Sequence, residues 1–69
     1  MNIYKLVGRN IRKIRLSKGW SQEALSFEAE VNKNYISDLE RGARNPSLKI
    51  LLKIANALDV NIVDLIKVN

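Results

Sequence analysis

Sixty-nine residues are enough for one small domain, and with 46% hydrophobic and 28% charged residues the chain reads as globular rather than disordered. The absence of both cysteine and histidine excludes disulfides, thiolate metal sites and the commonest general base and metal ligand. No apolar run nears the roughly 20 residues of a membrane span and no signal-peptide core is seen, so the favoured class is a cytoplasmic, non-enzymatic binding module spanning residues 1–69, with no cofactor and no metal.

In chain order, Val7, Ile11 and Ile14 recur at helical spacing and predict a first helix from about Tyr4 to Lys18. Gly19 follows it, where a helix end favours a left-handed residue. Ser21 is the N-cap expected for a short second helix carrying Leu25 and Ala29 on one face. Asn32 is the next capping candidate, for a third helix with Ile36 and Leu39 inward and an end at Gly42. After the loop Ala43-Arg44-Asn45-Pro46, Ser47 caps a fourth helix with Leu48, Leu51, Ala55 and Leu58 inward. Asn61 is expected to cap a last helix holding Ile62, Val63, Leu65 and Ile66, with Asp64 near its positive end. The fold class is therefore all-α, five short helices without a strand. Trp20, Leu25 and Phe27 are expected in the core or at a hinge.

Charge is blocked along this plan. Residues 1–22 hold six basic side chains and no acid, residues 23–40 hold five acids against Lys33 alone, and residues 41–69 return to five basic against two acidic. Such blocking suits a polyanion-binding face, although a solvated helix surface produces it too. Between Gln22 and Leu39, apolar or small residues at 25, 26, 29, 31, 36 and 39 have the spacing of two helices joined by a short turn, with Ser26 small at their closest crossing. The other face of the third helix then carries Lys33, Asn34, Ser37, Asp38 and Arg41, all able to donate or accept at a base edge.

Four separated segments, Gly19-Trp20-Ser21-Gln22-Glu23-Ala24-Leu25, Asn34-Tyr35-Ile36-Ser37-Asp38-Leu39-Glu40-Arg41-Gly42, Asn45-Pro46-Ser47-Leu48 and Ala55-Asn56-Ala57-Leu58-Asp59-Val60, resemble in order the signatures of the XRE family. This is the lambdoid-repressor and Cro type of helix-turn-helix, and the likeness runs from about Val7 to Ile66. Within it the chain is most similar to small stand-alone regulators, among them restriction–modification controller proteins and short phage or plasmid repressors. The resemblance implies a compact five-helix, lambda-repressor-like domain with its helix-turn-helix at the second and third helices. It also implies transcriptional regulation by a homodimer on a palindromic double-stranded DNA operator. The chain departs from the family at Glu30 and Asp59, where glycine is usual, and at Ala24, where a capping-box Glu is common.

Carried over residue by residue, the resemblance puts Gln22 at a phosphate and sometimes a base. Lys33 and Asn34 open the recognition helix, whose first residues reach deepest into the major groove. Lysine can donate to guanine and asparagine can pair with adenine. Ser37 and Asp38 lie one turn on. Asp38 either accepts from cytosine, pairs with Arg41 or repels phosphate. Tyr35 is expected half-buried with its hydroxyl outward, while Arg41, Arg44 and Asn45 lie where they can grip phosphates. Ser47 is either a plain cap or a further phosphate contact. Matching positions in the family make Arg15 and Glu40 a structural salt bridge between the first and third helices. They also turn Val60 and Leu65 inward, leaving Ile62, Val63 and Ile66 as the expected dimer interface, with the chain ending at Asn69 before anything else covers them. A reading of another class remains open: an antitoxin or similar protein-interaction module on the same fold, which a stoichiometric protein partner would reveal.

Overall fold

A computed structural model describes residues 1–68 as five helices: α1 (Ile3–Ser17), α2 (Gln22–Ala29), α3 (Lys33–Glu40), α4 (Leu48–Leu58) and α5 (Val63–Ile66). No strand occurs among the described residues, and no helix there is long and apolar enough to cross a membrane.

Local hydrogen bonding explains most of the helix starts. Asn2 Oδ1 accepts from the Tyr4 and Lys5 N–H groups, Ser21 Oγ from Ala24, Asn32 Oδ1 from Asn34 and Ser47 Oγ from Ile50. Each satisfies backbone donors that a first turn otherwise leaves unpaired. The last helix differs from expectation. Its N-cap is Ile62, without a side-chain hydrogen bond, and Asp64 Oδ2 instead accepts from the Asn61 N–H at 3.1 Å. A carboxylate in the first turn thus reaches back to the N–H before the helix, and the first-turn N–H of Asp64 is satisfied by the Asn61 backbone carbonyl rather than by its side chain. Lys67 and that N–H hold the Asp64 carboxyl below its ordinary range, the lysine contributing more.

Gly19 and Gly42, at φ 73° and 76°, take the left-handed conformation after α1 and α3 that glycine adopts without a Cβ penalty. Glu30 and Asp59 take it as well, at φ 56° and 58°. The turn between α2 and α3 thus has the usual left-handed shape built with glutamate, at a cost of roughly 1–2 kcal/mol that glycine would not incur.

α1 lies against α3 and α5, α2 against α3 and α4, and α4 against α5. Their inward faces supply a core of Val7, Ile11, Leu25, Ala29, Ile36, Leu39, Leu51, Ile54, Ala55, Leu58 and Leu65. Ile14, Trp20 and Val60 pack at its edge. Two expected core residues are outside. Phe27 is 81% exposed, because Leu25 and Ala29 turn inward and a residue two away from each faces roughly 200° around the helix. Leu48 is 77% exposed, since it starts α4 on the rim of the apolar stripe and Ile54 fills the inward position.

The tightest approach is between α1 and the end of α3. A Cβ on Gly8 would stand 2.1 Å from the Leu39 carbonyl oxygen and 2.9 Å from that of Glu40. Gly8→Ala gains about 1 kcal/mol of helix propensity, but α1 and α3 must separate to admit the methyl, at a cost near the roughly 3 kcal/mol upper range of overpacking. A thermal melt is expected to show a net loss, with a midpoint about 10 °C lower; an unchanged or raised midpoint would show that the helices move apart freely.

Candidate nucleic-acid interface

α3 turns a polar face outward. Ile36 and Leu39 anchor it in the core, and 100° per residue then puts Lys33, Asn34, Ser37, Asp38 and Arg41 within an arc of roughly 140° on the opposite side. Lys33, Asn34 and Arg41 are exposed, while Ser37 and Asp38 are half-buried. Arg44 and Asn45, both exposed, continue from the helix end into the loop.

A buried ionic network behind this face fixes its angle. Arg15 and Glu40 have side chains 7% and 3% exposed and meet through two hydrogen bonds, Nε to Oε2 at 2.7 Å and Nη2 to Oε1 at 2.9 Å. The remaining Arg15 terminal nitrogen, Nη1, donates to the Trp20 carbonyl at 2.7 Å. The pair has the fork geometry that makes arginine–carboxylate contacts strong, and its hydrogen bond with Glu40 raises the Arg15 pKa despite the opposing effect of burial. The guanidinium therefore stays charged throughout the working pH range. Gln22 joins the network as its Nε2 donates to Glu40 Oε1 at 3.1 Å. Its amide is thus engaged inside the protein rather than reaching freely outward. α1, the loop after it, the start of α2 and the end of α3 are all tied to one carboxylate.

At the other corner, Asp38 accepts from Arg41 and, at 3.3 Å, from Arg44. Among the openings left by the sequence, pairing with Arg41 is the contact formed, and Arg44 joins it. Arg44 also lies over the Tyr35 ring, 4.9 Å from its centroid. Tyr35 is half-buried against the core, so it offers the guanidinium a fixed aromatic face. Ser47 Oγ is occupied as the cap of α4.

α5 shows a different kind of surface. Leu65 is fully buried, whereas Val63 and Ile66 are 54% and 42% exposed. Ile62 is partly buried against the core, so it contributes less free surface than its two neighbours. Asn10, which sequence reasoning passed over, is buried in α1 and donates from Nδ2 to the Leu65 and Lys67 carbonyls, each at 3.0 Å. It satisfies carbonyls at the end of α5 and ties that helix to α1. Among the described residues no group of three or more His, Cys, Asp or Glu could hold a metal ion.

A helix-turn-helix family model matches residues 11–65. The control protein C.BamHI of Bacillus amyloliquefaciens is 52% identical over 66 residues, covering 94% of this chain and 82% of that protein. The crystal structure of the restriction–modification controller protein C.AhdI from Aeromonas hydrophila superposes with a TM-score of 0.88 at 40% identity, over 90% of this chain and 94% of that one. The hypothetical transcription factor NHTF from Neisseria superposes with a TM-score of 0.91 at 34% identity, over 94% of this chain and 75% of that one.

Proposed function

The chain belongs to the XRE-type helix-turn-helix family of DNA-binding transcriptional regulators, and from that premise we propose that it acts as a controller-like homodimer on a palindromic operator in the cytoplasm. The supporting observation is the polar arc of α3, with Lys33, Asn34 and Arg41 exposed, while the opposite face is held by the core and the end of the helix by the Arg15–Glu40 pair. Lys33 and Asn34, in the first turn of α3, read base edges in the major groove, with Ser37 beside them. Arg41, Arg44 and Asn45 grip backbone phosphates and supply most of the sequence-independent affinity. Gln22 keeps Glu40 as its internal partner and lies at the start of α2, whose positive end favours a phosphate.

Dimerisation is supported by α5. Val63 and Ile66 leave apolar surface uncovered on a small domain, which commonly marks an interface. A second copy related by a two-fold axis covers it and sets two α3 helices about 34 Å apart, one turn of duplex DNA.

Selection of bound sites from random duplexes, followed by titration of the preferred one, tests this reading. A palindromic preferred site is expected. Lys33→Ala and Asn34→Ala each cost roughly 1–3 kcal/mol on that site and relax preference at particular positions. Full affinity and unchanged preference in both variants would show that α3 is not the reader.

A further inference from the structure

The two arginines at the end of α3 are not available to DNA without a competitor. One oxygen of Asp38 accepts from Nη2 of Arg41 and the other from Nε of Arg44. The guanidiniums are reachable from solvent, with side chains 65% and 52% exposed, while the carboxylate between them is only 28% exposed. A phosphodiester has two free anionic oxygens, and Asp38 offers the arginines the same pair of acceptors. Tyr35 keeps Arg44 in this arrangement from beneath its guanidinium.

We propose that Asp38 is an internal stand-in for a backbone phosphate, which engages Arg41 and Arg44 when no DNA is present and so limits the chain's sequence-independent affinity. The proposal rests on the DNA-binding reading and adds a residue that holds that binding down. Ion pairs as exposed as these are weak, so a phosphate can displace the carboxylate, but only by giving up the pairing that it replaces. Two guanidiniums and one carboxylate carry a single net positive charge, and neutralising Asp38 restores the second. The chain thereby leaves more of its discrimination to the base-reading residues of α3, because the phosphate term acts on every sequence alike.

The test is titration of a random-sequence duplex across a salt series with Asp38→Asn, which keeps the side-chain shape. One further phosphate neutralised corresponds to roughly tenfold tighter binding per chain at about 50 mM salt and a salt slope steeper by about 0.9. The same substitution is then made in an Arg41→Ala/Arg44→Ala background, where the latch has nothing to release and less than a roughly twofold change is expected. An equal gain in both backgrounds means that Asp38 merely repels phosphate and overturns the latch. Unchanged or weaker binding by Asp38→Asn in the parent background overturns it as well. A parent chain that binds no duplex at low salt overturns the DNA-binding reading itself, and the latch with it.

Discussion

Replacing Glu40 by alanine is expected to lower the stability of this domain by about 3–5 kcal/mol, the range for removing one partner of a buried ion pair. The substitution leaves the Arg15 side chain, 7% exposed, with the Trp20 carbonyl as its remaining acceptor, and it removes the acceptor of Gln22 as well. Water cannot readily replace Glu40 at a side chain so enclosed, so the desolvation cost of the charge remains without its compensation. A domain of this length holds roughly 3–10 kcal/mol in total, so the variant is expected to be substantially unfolded at 37 °C. Circular dichroism on heating should show a midpoint at least about 12 °C below the parent. Glu40→Gln keeps the shape and acceptor oxygen, and should fall between the two. A Glu40→Ala melt superimposable on the parent would mean that Arg15 finds solvent without effort. The consequence for function is geometric, because the same carboxylate holds the end of α3 against α1, and α3 is the proposed reader.

Ile66→Lys is expected to produce the largest functional loss, acting at a distance from the DNA face. Ile66 is 42% exposed and adjoins Leu65, which is fully buried and remains in place. A lysine there can direct its ammonium to solvent in the free chain, so the monomer should stay folded with a stability change within about 1 kcal/mol. Across a two-fold interface the same change sets two ammonium groups into an apolar contact, where neither has a partner. Sedimentation at micromolar concentration should show a dimer for the parent and a folded monomer for the variant. Loss of bivalent attachment should weaken binding to the palindromic site by roughly 10²–10⁴-fold, with a smaller loss on a single half-site. Val63→Lys, at a position 54% exposed, is the companion variant. A parent chain that sediments as a monomer and binds a half-site as tightly as the full palindrome would refute the dimer.

Helix number, order and most of the ends were legible in the sequence. The caps at Ser21, Asn32 and Ser47 bond to N–H groups two or three residues on, and the stops at Gly19 and Gly42 need only their own backbone conformation. The polar face of α3 was equally legible, because Ile36 and Leu39 fix the phase of a short helix. The Arg15–Glu40 pair came from family resemblance, and the structure finds it buried.

Tertiary structure alone decided the rest. Nothing along the chain announces that Gly8 sits under the Leu39 carbonyl, that Asn10 reaches carbonyls at the end of α5, 55 residues away in the case of Leu65, or that Gln22 turns to a carboxylate 18 residues on. Nor could it assign Asp38 to two arginines at once, or show that Leu48 overhangs the core it was expected to join. Capping and periodicity are set by neighbours within a turn or so of the backbone, where the sequence supplies both partners. A contact between helices also depends on crossing angle and separation, and these follow from how all the side chains in the core fit together.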